Sequence, residues 1–317
     1  MEKSTYQQFR RKSNSILTSF ILFKSFLKRI LLLFKIDEID FVFVHREIFP
    51  IGPPIFEWFI AKVIGKKIIY DFDDAIWLTD NEDESFFASL IRCRWKVRLI
   101  CKWSHRVSCG NKFLADYARK FNTQVTLNPT TIDTDNTHNP ALYPEAKNND
   151  VVIGWTGSHS TLKYLEEYEN ILRQIESKHP NVQFVVIADR RPSLKLKNVA
   201  FKIWSQQREI EDLMSVDIGI MPLPDNEWTR GKCGFKALQY LALGKPAVVS
   251  PVAVNKEIIS HGTEGYLATT EDQWLAALDG LIVNSKLRQG MGIKGRQKVI
   301  EHYSVSSNAE TFLSLFQ

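Results

Sequence analysis

A glycine at the start of a helical segment, flanked by two lysines, is the clearest candidate site for a phosphate group. Gly234 precedes a segment that predicts a helix over 235–243, and Lys232 and Lys236 stand on either side of the helix start. Glycine lets the backbone approach a ligand closely, and the first turn of a helix presents unpaired N–H groups to an anion. The lysines would offset charge on a departing diphosphate. The alternative is that both are solvated surface residues.

Charged side chains also follow two apolar segments of the first half. His45 ends one predicted strand, and Asp71, Asp73 and Asp74 end the next. Open α/β sheets bind ligands beyond the carboxyl ends of their strands, so His45 is a candidate catalytic or acceptor-binding residue. Asp73 is a candidate for orienting an acceptor hydroxyl or assisting its deprotonation. The alternatives are a structural histidine and aspartates that cap a turn.

Asp71 and Asp73 also have the Asp-x-Asp spacing of a magnesium-binding element. They lie in the first half, however, whereas the second half already supplies a helix N-terminus and lysines for a diphosphate. We therefore predict no metal site.

Apolar strand-like segments alternate with helical periodicity in both halves, which predicts an α/β fold of two doubly wound parallel sheets. The predicted strands are 41–44, 66–70, 106–108, 124–127, 151–154, 183–187, 199–203, 218–221 and 247–249. The predicted helices are 54–64, 85–102, 111–120, 161–178, 208–214, 235–243, 272–281 and 285–316. The segment 128–150 is rich in Asn, Thr, Asp and Pro without periodicity, as interdomain connections are. We expect domains at 1–140 and 150–317.

Composition narrows the class of protein. With 317 residues, 44% of them hydrophobic, the chain can bury two cores. Its net charge of +5 comes from nearly balanced acidic and basic residues, unlike most nucleic-acid-binding proteins, so we expect no nucleic-acid partner. Four cysteines without a C-x-x-C pair argue against structural zinc and are typical of reduced thiols. A cytoplasmic location follows.

Residues 16–36 predict an amphipathic helix. The apolar residues recur at helical spacing and are Ile16, Phe20, Phe23, Leu27, Ile30, Leu31 and Phe34. Lysines and an arginine interrupt the segment, so it lacks the run of about 20 apolar residues that spanning requires. We expect the apolar stripe to pack on a sheet. The alternative is that its basic flank also contacts the cytoplasmic face of a membrane.

Several segments in order resemble the family 4 glycosyltransferases. Segment 236–246, with Lys236, Gln239, Tyr240, Gly244 and Pro246, matches the family's Lys-x-x-Glu-Tyr element. The five further matches are 40–47, 70–74, 128–133, 251–257 and 262–266. The resemblance implies a GT-B fold, with two Rossmann-like domains facing a cleft, and retaining, metal-independent sugar transfer to an acceptor hydroxyl. It implies a nucleotide-diphosphate sugar as donor, no separate cofactor, and a carbohydrate or lipid-linked acceptor. The resemblance also implies a role in the synthesis of polysaccharide or glycolipid at the cell surface.

The resemblance also assigns donor contacts. The turn after the first strand of the second domain is similar to the family's donor phosphate loop. Trp204, which follows the predicted strand 199–203, resembles part of the loop that flanks the nucleobase in related enzymes. The implied donor-binding residues are Thr156, Gly157, Ser158, His159, Trp204, Gly234, Phe235 and Gln239. Family members usually carry glutamates that contact the donor sugar and the ribose, whereas this chain has Gly231 and Gln239 at those positions.

Two further expectations concern the ends of the chain. Relatives usually open with a strand and a glycine-rich loop, which the sequence lacks before Tyr6, so the first domain is expected to be truncated at its start. The last helix is expected to cross back to the first domain. A non-catalytic nucleotide-sugar-binding protein, a nucleotide-sugar epimerase and a membrane-surface adaptor remain as alternatives.

Overall fold

Two parallel β-sheets organise the chain in the computed structural model, which describes residues 15–80, 85–144 and 150–317. The first sheet has the order β1-β2-β3-β4 and consists of β1 (Phe41–His45), β2 (Lys67–Phe72), β3 (Arg106–Cys109) and β4 (Val125–Leu127). The register of β1 and β2 sets His45 beside Asp71 at the carboxyl edge. Residues 1–14, at the start of the predicted first domain, lie outside the described residues.

The second sheet has the order β10-β9-β8-β5-β6-β7. Its strands are β5 (Val152–Gly157), β6 (Gln183–Ala188), β7 (Val199–Ile203), β8 (Ile218–Met221), β9 (Ala247–Val249) and β10 (Gly265–Leu267). The chain runs outward from β5 through β6 to β7 and then returns to pair β8 on the other side of β5. This reversal of strand order creates a crevice at the carboxyl ends of β5 and β8, where open α/β sheets bind ligands.

Helices cover both sheets. Those of the first half are α1 (Ser15–Leu33), α2 (Ile55–Trp58, continued by the π-helical segment Phe59–Ile64), α3 (Phe86–Arg92), α4 (Lys96–Trp103) and α5 (Lys112–Arg119). Those of the second half are α6 (Leu162–Glu166), α7 (Glu169–Lys178), α8 (Glu209–Met214), α9 (Glu227–Arg230), α10 (Phe235–Ala242), α11 (Asn255–Ile258), α12 (Glu271–Val283), α13 (Ser285–His302) and α14 (Ala309–Leu313). The predicted α/β fold class with two parallel sheets is confirmed.

Each sheet has its own apolar core. Ile68, Tyr70 and Phe72 on β2 are fully buried in the first domain. In the second domain, Tyr240 of α10 packs on Gly219 of β8 so closely that a Cβ at Gly219 would lie 2.2 Å from the ring. The glycine therefore sets the distance between α10 and the sheet, and with it the position of the residues at the start of α10.

Several predicted helices are interrupted. The predicted helix 85–102 is divided into α3 and α4 at Cys93, whose φ of 49° ends the first piece. The predicted helix 161–178 is likewise divided into α6 and α7, and the helical segment predicted to reach 316 breaks after His302. Propensity did not identify these breaks, because tertiary packing decides them.

The packing predicted for the 16–36 stripe is wrong for most of its described members. Helix α1 instead turns Phe26 inward, where its ring lies 5.4 Å from that of Phe49 and 5.1 Å from that of Phe56. The side chain of Ile16 lies outside the described residues, and Ile30 is only partly exposed. The exposed members, at 43–79% relative exposure, are Phe20, Phe23, Leu27, Leu31 and Phe34. Among the described residues, no helix combines the length and apolar character needed to cross a bilayer.

The end of the chain lies on the first sheet. The ring of Phe316 is 5.7 Å from that of Phe41, and the ring of Phe312 is 5.9 Å from that of Phe43, both on β1. Before reaching this contact, the chain pairs with the interdomain connection, since Ile132 N–H donates to the Tyr303 carbonyl at 2.8 Å. Two chain segments therefore join the domains side by side.

Candidate functional site

A cleft of about 560 Å³ lies between the two domains. It opens at the carboxyl ends of β5 and β8, the point where the strand order of the second sheet reverses. The first domain contributes Asp73, Asp74 and Thr130 to its lining. Lining residues of the second domain include Thr156, Gly157, Ser158, Trp204, Glu209, Lys232, Gly234, Phe235, Lys236 and Gln239.

Gly234 caps α10 in the conformation that the sequence pattern requires. Its φ of 71° is left-handed, and a Cβ there would lie 2.2 Å from the Cδ1 atom of Ile258. Only glycine adopts this conformation without strain. Glycine at position 234 is therefore required both by the backbone conformation that starts α10 and by the close packing against Ile258 of α11.

The two predicted lysines lie in the cleft but in different surroundings. Lys232 Nζ donates to Asp74 Oδ1 at 2.8 Å, which joins the two domains, and lies 4.8 Å from the centre of the Trp228 ring. Lys236 Nζ lies 5.4 Å from the centre of the Trp155 ring. Burial and the neighbouring charge of Lys232 lower the pKa of Lys236 to about 8. An anion in the cleft would favour the charged form of this lysine.

The turn after β5 is held by side-chain hydrogen bonds. The Thr156 N–H donates to the Tyr240 hydroxyl at 3.0 Å, and a capping box joins Ser158 to Thr161. His159 is not itself a lining residue, but its Nδ1, at 2.9 Å, and its backbone N–H both contact the carboxylate of Asp189, which lines the cleft. Of the four residues predicted in this turn, Thr156, Gly157 and Ser158 line the cleft and His159 supports it.

The carboxyl edge of the first sheet carries a network of charges. Arg46, which has a left-handed φ of 62°, donates to Asp73 Oδ1 at 2.8 Å and to Asp74 Oδ2 at 2.7 Å. Since Asp74 also binds Lys232, the network runs from the first domain into the second. Non-glycine residues at positive φ are uncommon and are retained where the surroundings hold them.

His45 lies at the margin of the site. Its Nδ1 is 2.8 Å from Asp71 Oδ2, and this hydrogen bond raises the pKa of the imidazole. The other oxygen of Asp71 accepts a hydrogen bond of 2.6 Å from the buried Ser108 hydroxyl. His45 Nε2 lies 3.9 Å from Asp73 Oδ1, but His45 itself is outside the cleft lining. Asp73 is thus the predicted first-domain residue that faces the cleft directly.

The position where relatives carry a sugar-binding glutamate is a point of contact between the domains. A Cβ on Gly231 would lie 2.6 Å from the Cβ of Ala75. The backbone around it is fixed, because Asn111 Nδ2 donates to the carbonyls of Arg230 at 3.2 Å and of Lys232 at 3.0 Å. A side chain at position 231 would therefore push the domains apart.

Gln239 is buried at the floor of the cleft. Its Nε2 lies 3.1 Å from Glu209 Oε1 and 3.3 Å from His138 Nε2. Sequence reasoning missed Glu209, because a glutamate in the first turn of an amphipathic helix carries no signal beyond the helix itself. Arg46 was also missed as part of the site, although it directly follows His45.

The aspartates of the Asp-x-Asp element are bound by cationic side chains. Asp71 contacts His45, and Asp73 contacts Arg46. Within residues 15–80, 85–144 and 150–317, no group of three His, Cys, Asp or Glu side chains is arranged to hold a metal ion.

Part of the chain matches the model of a known protein family. Residues 150–284 match the family model described as glycosyl transferases group 1. No curated protein sequence matches the chain.

Several solved structures share its fold. Sucrose-phosphate synthase from Thermosynechococcus elongatus is 13% identical with a TM-score of 0.70 over 92% of this chain and 76% of that one. A glycosyltransferase from Rickettsia africae ESF-5 is 14% identical with a TM-score of 0.67, covering 97% of this chain and 82% of that one. Anabaena HepE, in complex with UDP and glucose, is 14% identical with a TM-score of 0.67, covering 90% and 80% respectively.

The family match covers residues 150–284 of the second domain, and the structural matches extend over both domains. The chain as a whole has the GT-B fold.

Proposed function

We propose that the protein transfers a sugar from a nucleotide-diphosphate sugar to an acceptor hydroxyl with retention of configuration. The observation that carries the proposal is the arrangement of Gly234, Lys232 and Lys236 around the start of α10 in the interdomain cleft. This arrangement supplies positive charge and free N–H groups where an open α/β sheet binds its ligand. The HepE complex with UDP and glucose, a protein of the same fold, supports a nucleotide-sugar donor.

In this proposal the second domain holds the donor. The N–H groups at 234–236 and the turn from Thr156 to Ser158 bind the diphosphate, and the exposed ring of Trp204 lies beside the nucleobase. Transfer breaks the bond between the anomeric carbon and a phosphate oxygen, and Lys232 and Lys236 stabilise the charge that develops on that oxygen. The lysines and the helix terminus neutralise the diphosphate without a metal ion, and no cofactor besides the donor is needed.

The first domain holds the acceptor. Asp73 orients the acceptor hydroxyl, and His45 lies close enough to Asp73 to tune it electrostatically. As the new glycosidic bond forms, the proton of this hydroxyl leaves, either to the departing phosphate oxygen or to Asp73. Carbohydrate and lipid-linked acceptors both present such a hydroxyl, in keeping with cell-surface polysaccharide or glycolipid synthesis at the cytoplasmic face of a membrane.

We further propose that α1 provides peripheral contact with an anionic membrane. Its exposed face carries Phe20, Phe23 and Leu31, with the exposed Lys24 and Lys28 beside them. Aromatic and aliphatic side chains next to lysines suit the interface of an anionic bilayer. Flotation with phosphatidylglycerol vesicles should carry the protein upward, and the double variant Phe20→Ser/Phe23→Ser should remain in the dense fraction. Equal flotation of both proteins would contradict this contact.

A second candidate function is nucleotide-sugar binding without catalysis. Gly231 favours it, because this position carries no side chain to contact the donor sugar and contacts Ala75 of the other domain. A nucleotide-sugar epimerase would use the same cleft but would convert the donor without any acceptor. Product analysis after incubation with the bound nucleotide sugar alone separates the epimerase from both other functions.

Calorimetric titration with UDP, GDP, ADP and their common sugar conjugates tests the donor site. We expect one nucleotide to bind selectively and Lys236→Ala to weaken it at least tenfold. The matched control is Lys256→Ala, which removes an exposed lysine outside the cleft lining and should leave the affinity unchanged. Absence of binding by the folded protein would overturn the donor-site assignment.

A further inference from the structure

Glu209 places a carboxylate in the cleft that the assigned donor contacts do not use. It is the first residue of α8 and follows the loop that carries Trp204. Both Glu209 and Trp204 line the cleft, and Gln239 lies at its floor between Glu209 and the buried His138. The carboxylate therefore lines the same cleft as Trp204, which the proposed function places beside the nucleobase.

The amide nitrogen of Gln239 is fully engaged with the protein. An amide nitrogen has two N–H groups, and the Nε2 atom of Gln239 has two partners, Glu209 Oε1 and His138 Nε2. Burial lowers the pKa of His138 and favours the neutral ring, whose Nδ1 lies 3.0 Å from the Thr137 hydroxyl. This tautomer leaves Nε2 free to accept the amide proton.

Gln239 is consequently poorly suited to donate to a ligand. Gln239 is 1% exposed, and turning either N–H toward the cleft would leave the Glu209 carboxylate or the buried His138 ring without its donor. Gln239 instead holds one oxygen of Glu209 in place.

The carboxylate of Glu209 retains capacity for a ligand. Within the described residues, Gln239 is its hydrogen-bond donor, no Lys or Arg side chain pairs with it, and Oε2 accepts no bond. An ionised carboxylate only accepts hydrogen bonds, and it binds hydroxyl groups through charge-assisted bonds. The ribose of a nucleotide presents two neighbouring hydroxyls of this kind.

We propose that Glu209 binds the ribose hydroxyls of the donor nucleotide and that Gln239 is the residue that positions it. This inference rests on the proposed function, because it assumes a nucleotide in the cleft. In this proposal a neighbouring helix supplies the carboxylate that binds the ribose, because position 239, where the family resemblance implies a glutamate, is a glutamine in this chain.

The test compares each ribonucleoside diphosphate with its 2′,3′-dideoxy counterpart, which lacks both hydroxyls. Calorimetry with UDP, GDP and ADP first identifies the base that binds, and the dideoxy form of that nucleotide follows. We expect the unaltered protein to prefer the ribose form by about 10- to 100-fold, the usual range for charge-assisted hydrogen bonds.

Glu209→Gln should abolish most of this preference while leaving affinity for the dideoxy form unchanged. The glutamine has the same shape and can still accept from Gln239, so the cleft is preserved. The matched control is Glu211→Gln, which removes an exposed carboxylate of the same helix and should retain the full preference. Gln239→Met, which removes the positioning bond, should reduce the preference at least threefold with little effect on binding of the dideoxy form.

The outcomes separate the two proposals. A nucleotide that binds with the same ribose preference in Glu209→Gln as in the unaltered protein overturns the role of Glu209 and leaves the donor site standing. Failure of the folded protein to bind any of the three ribonucleotides overturns both. Equal loss of ribose and dideoxy affinity in Glu209→Gln also contradicts the inference, because it indicates a structural role.

Discussion

The two walls of the cleft are built in different ways. On the second domain, Gly234, Lys236 and Gln239 come from one short stretch of sequence at the start of α10, and local backbone geometry sets their positions. On the first domain, Arg46 follows β1 and Asp73 and Asp74 follow β2, so separate strand ends meet through ion pairs. We call the wall of the second domain the local wall, because local backbone conformation sets its shape. We call the wall of the first domain the paired wall, because ion pairs between separate strand ends hold it.

This difference has a functional consequence. A wall set by backbone geometry keeps its shape when its ligand leaves, which would suit the diphosphate of the proposed donor, since a new donor molecule must bind for each transfer. A wall held by ion pairs rearranges at low cost, because each charged group can exchange one partner for another. Lys232 connects the two walls. It precedes α10 in the sequence of the second-domain wall, and its side chain donates to Asp74 of the first-domain wall.

The largest effect is expected at Lys236. Lys236→Met removes a charge from the local wall, and the transfer rate should fall about 100- to 1,000-fold, the usual cost of losing one electrostatic contact to the transition state. Initial rates with the donor identified by calorimetry measure this. If Lys236→Met lowered the transfer rate less than Arg46→Met on the opposite wall, this result would contradict the assignment of the donor to the second domain and the acceptor to the first.

The next effect concerns the ion pairs between the walls. Asp74→Asn leaves Arg46 and Lys232 without their shared carboxylate, and we expect the free energy of unfolding to fall by about 2 kcal/mol. Denaturant unfolding measures the change. The matched control is Asp116→Asn, which breaks exposed pairs with Lys112 and Arg119 and should change stability by less than about 0.5 kcal/mol. Equal effects would show that the interdomain pairs behave as ordinary surface charges.

A third prediction probes the left-handed glycine of the local wall. Gly234→Ala should destabilise the protein by about 1–2 kcal/mol, because an L-residue is strained at this φ. Nucleotide affinity should fall as well. Gly280→Ala is the control, since this helical glycine has nothing within 4 Å of its Cβ position and alanine should stabilise α12 slightly. Thermal unfolding measures the stability of both variants. If Gly234→Ala were as stable as the unaltered protein, this result would contradict the requirement for a left-handed conformation at position 234.

The smallest effect is a dependence on pH. The pKa of Lys236 is lowered to about 8, so the free side chain loses its proton as pH rises through that value. A bound diphosphate favours the protonated form, and nucleotide affinity should therefore fall by up to about tenfold per pH unit above pH 8. Lys236→Arg stays charged and should remove this slope. Titrations at pH 7 and 9 measure it, and a slope that persists in the arginine variant would assign it to another group.

Sequence reasoning located the local wall far better than the paired wall. Gly234, Lys232 and Lys236 could be found because turn, helix start and charge lie within five residues. His45 was placed at the correct strand end, yet the structure turns it toward Asp71 at the margin of the cleft. Orientation at a strand end depends on the neighbouring strand, which sequence spacing does not specify.

The same reason explains what was missed elsewhere. Parallel sheets could be predicted because apolar strand-like segments alternate with helical ones, whereas the strand order was not predicted. The contact between Gln239 and Glu209 joins residues thirty positions apart, and the exposed face of α1 depends on where Phe26 finds aromatic partners. Both are decided by packing between elements rather than by any pattern within one.

The return of the chain to β1 has a consequence for biosynthesis. Phe312 and Phe316 cover Phe41 and Phe43 of the first strand, although nearly the whole chain separates them. During synthesis, this aromatic face of the first domain remains uncovered until Phe312 and Phe316 have left the ribosome. Until then it is open to chaperones and to neighbouring nascent chains.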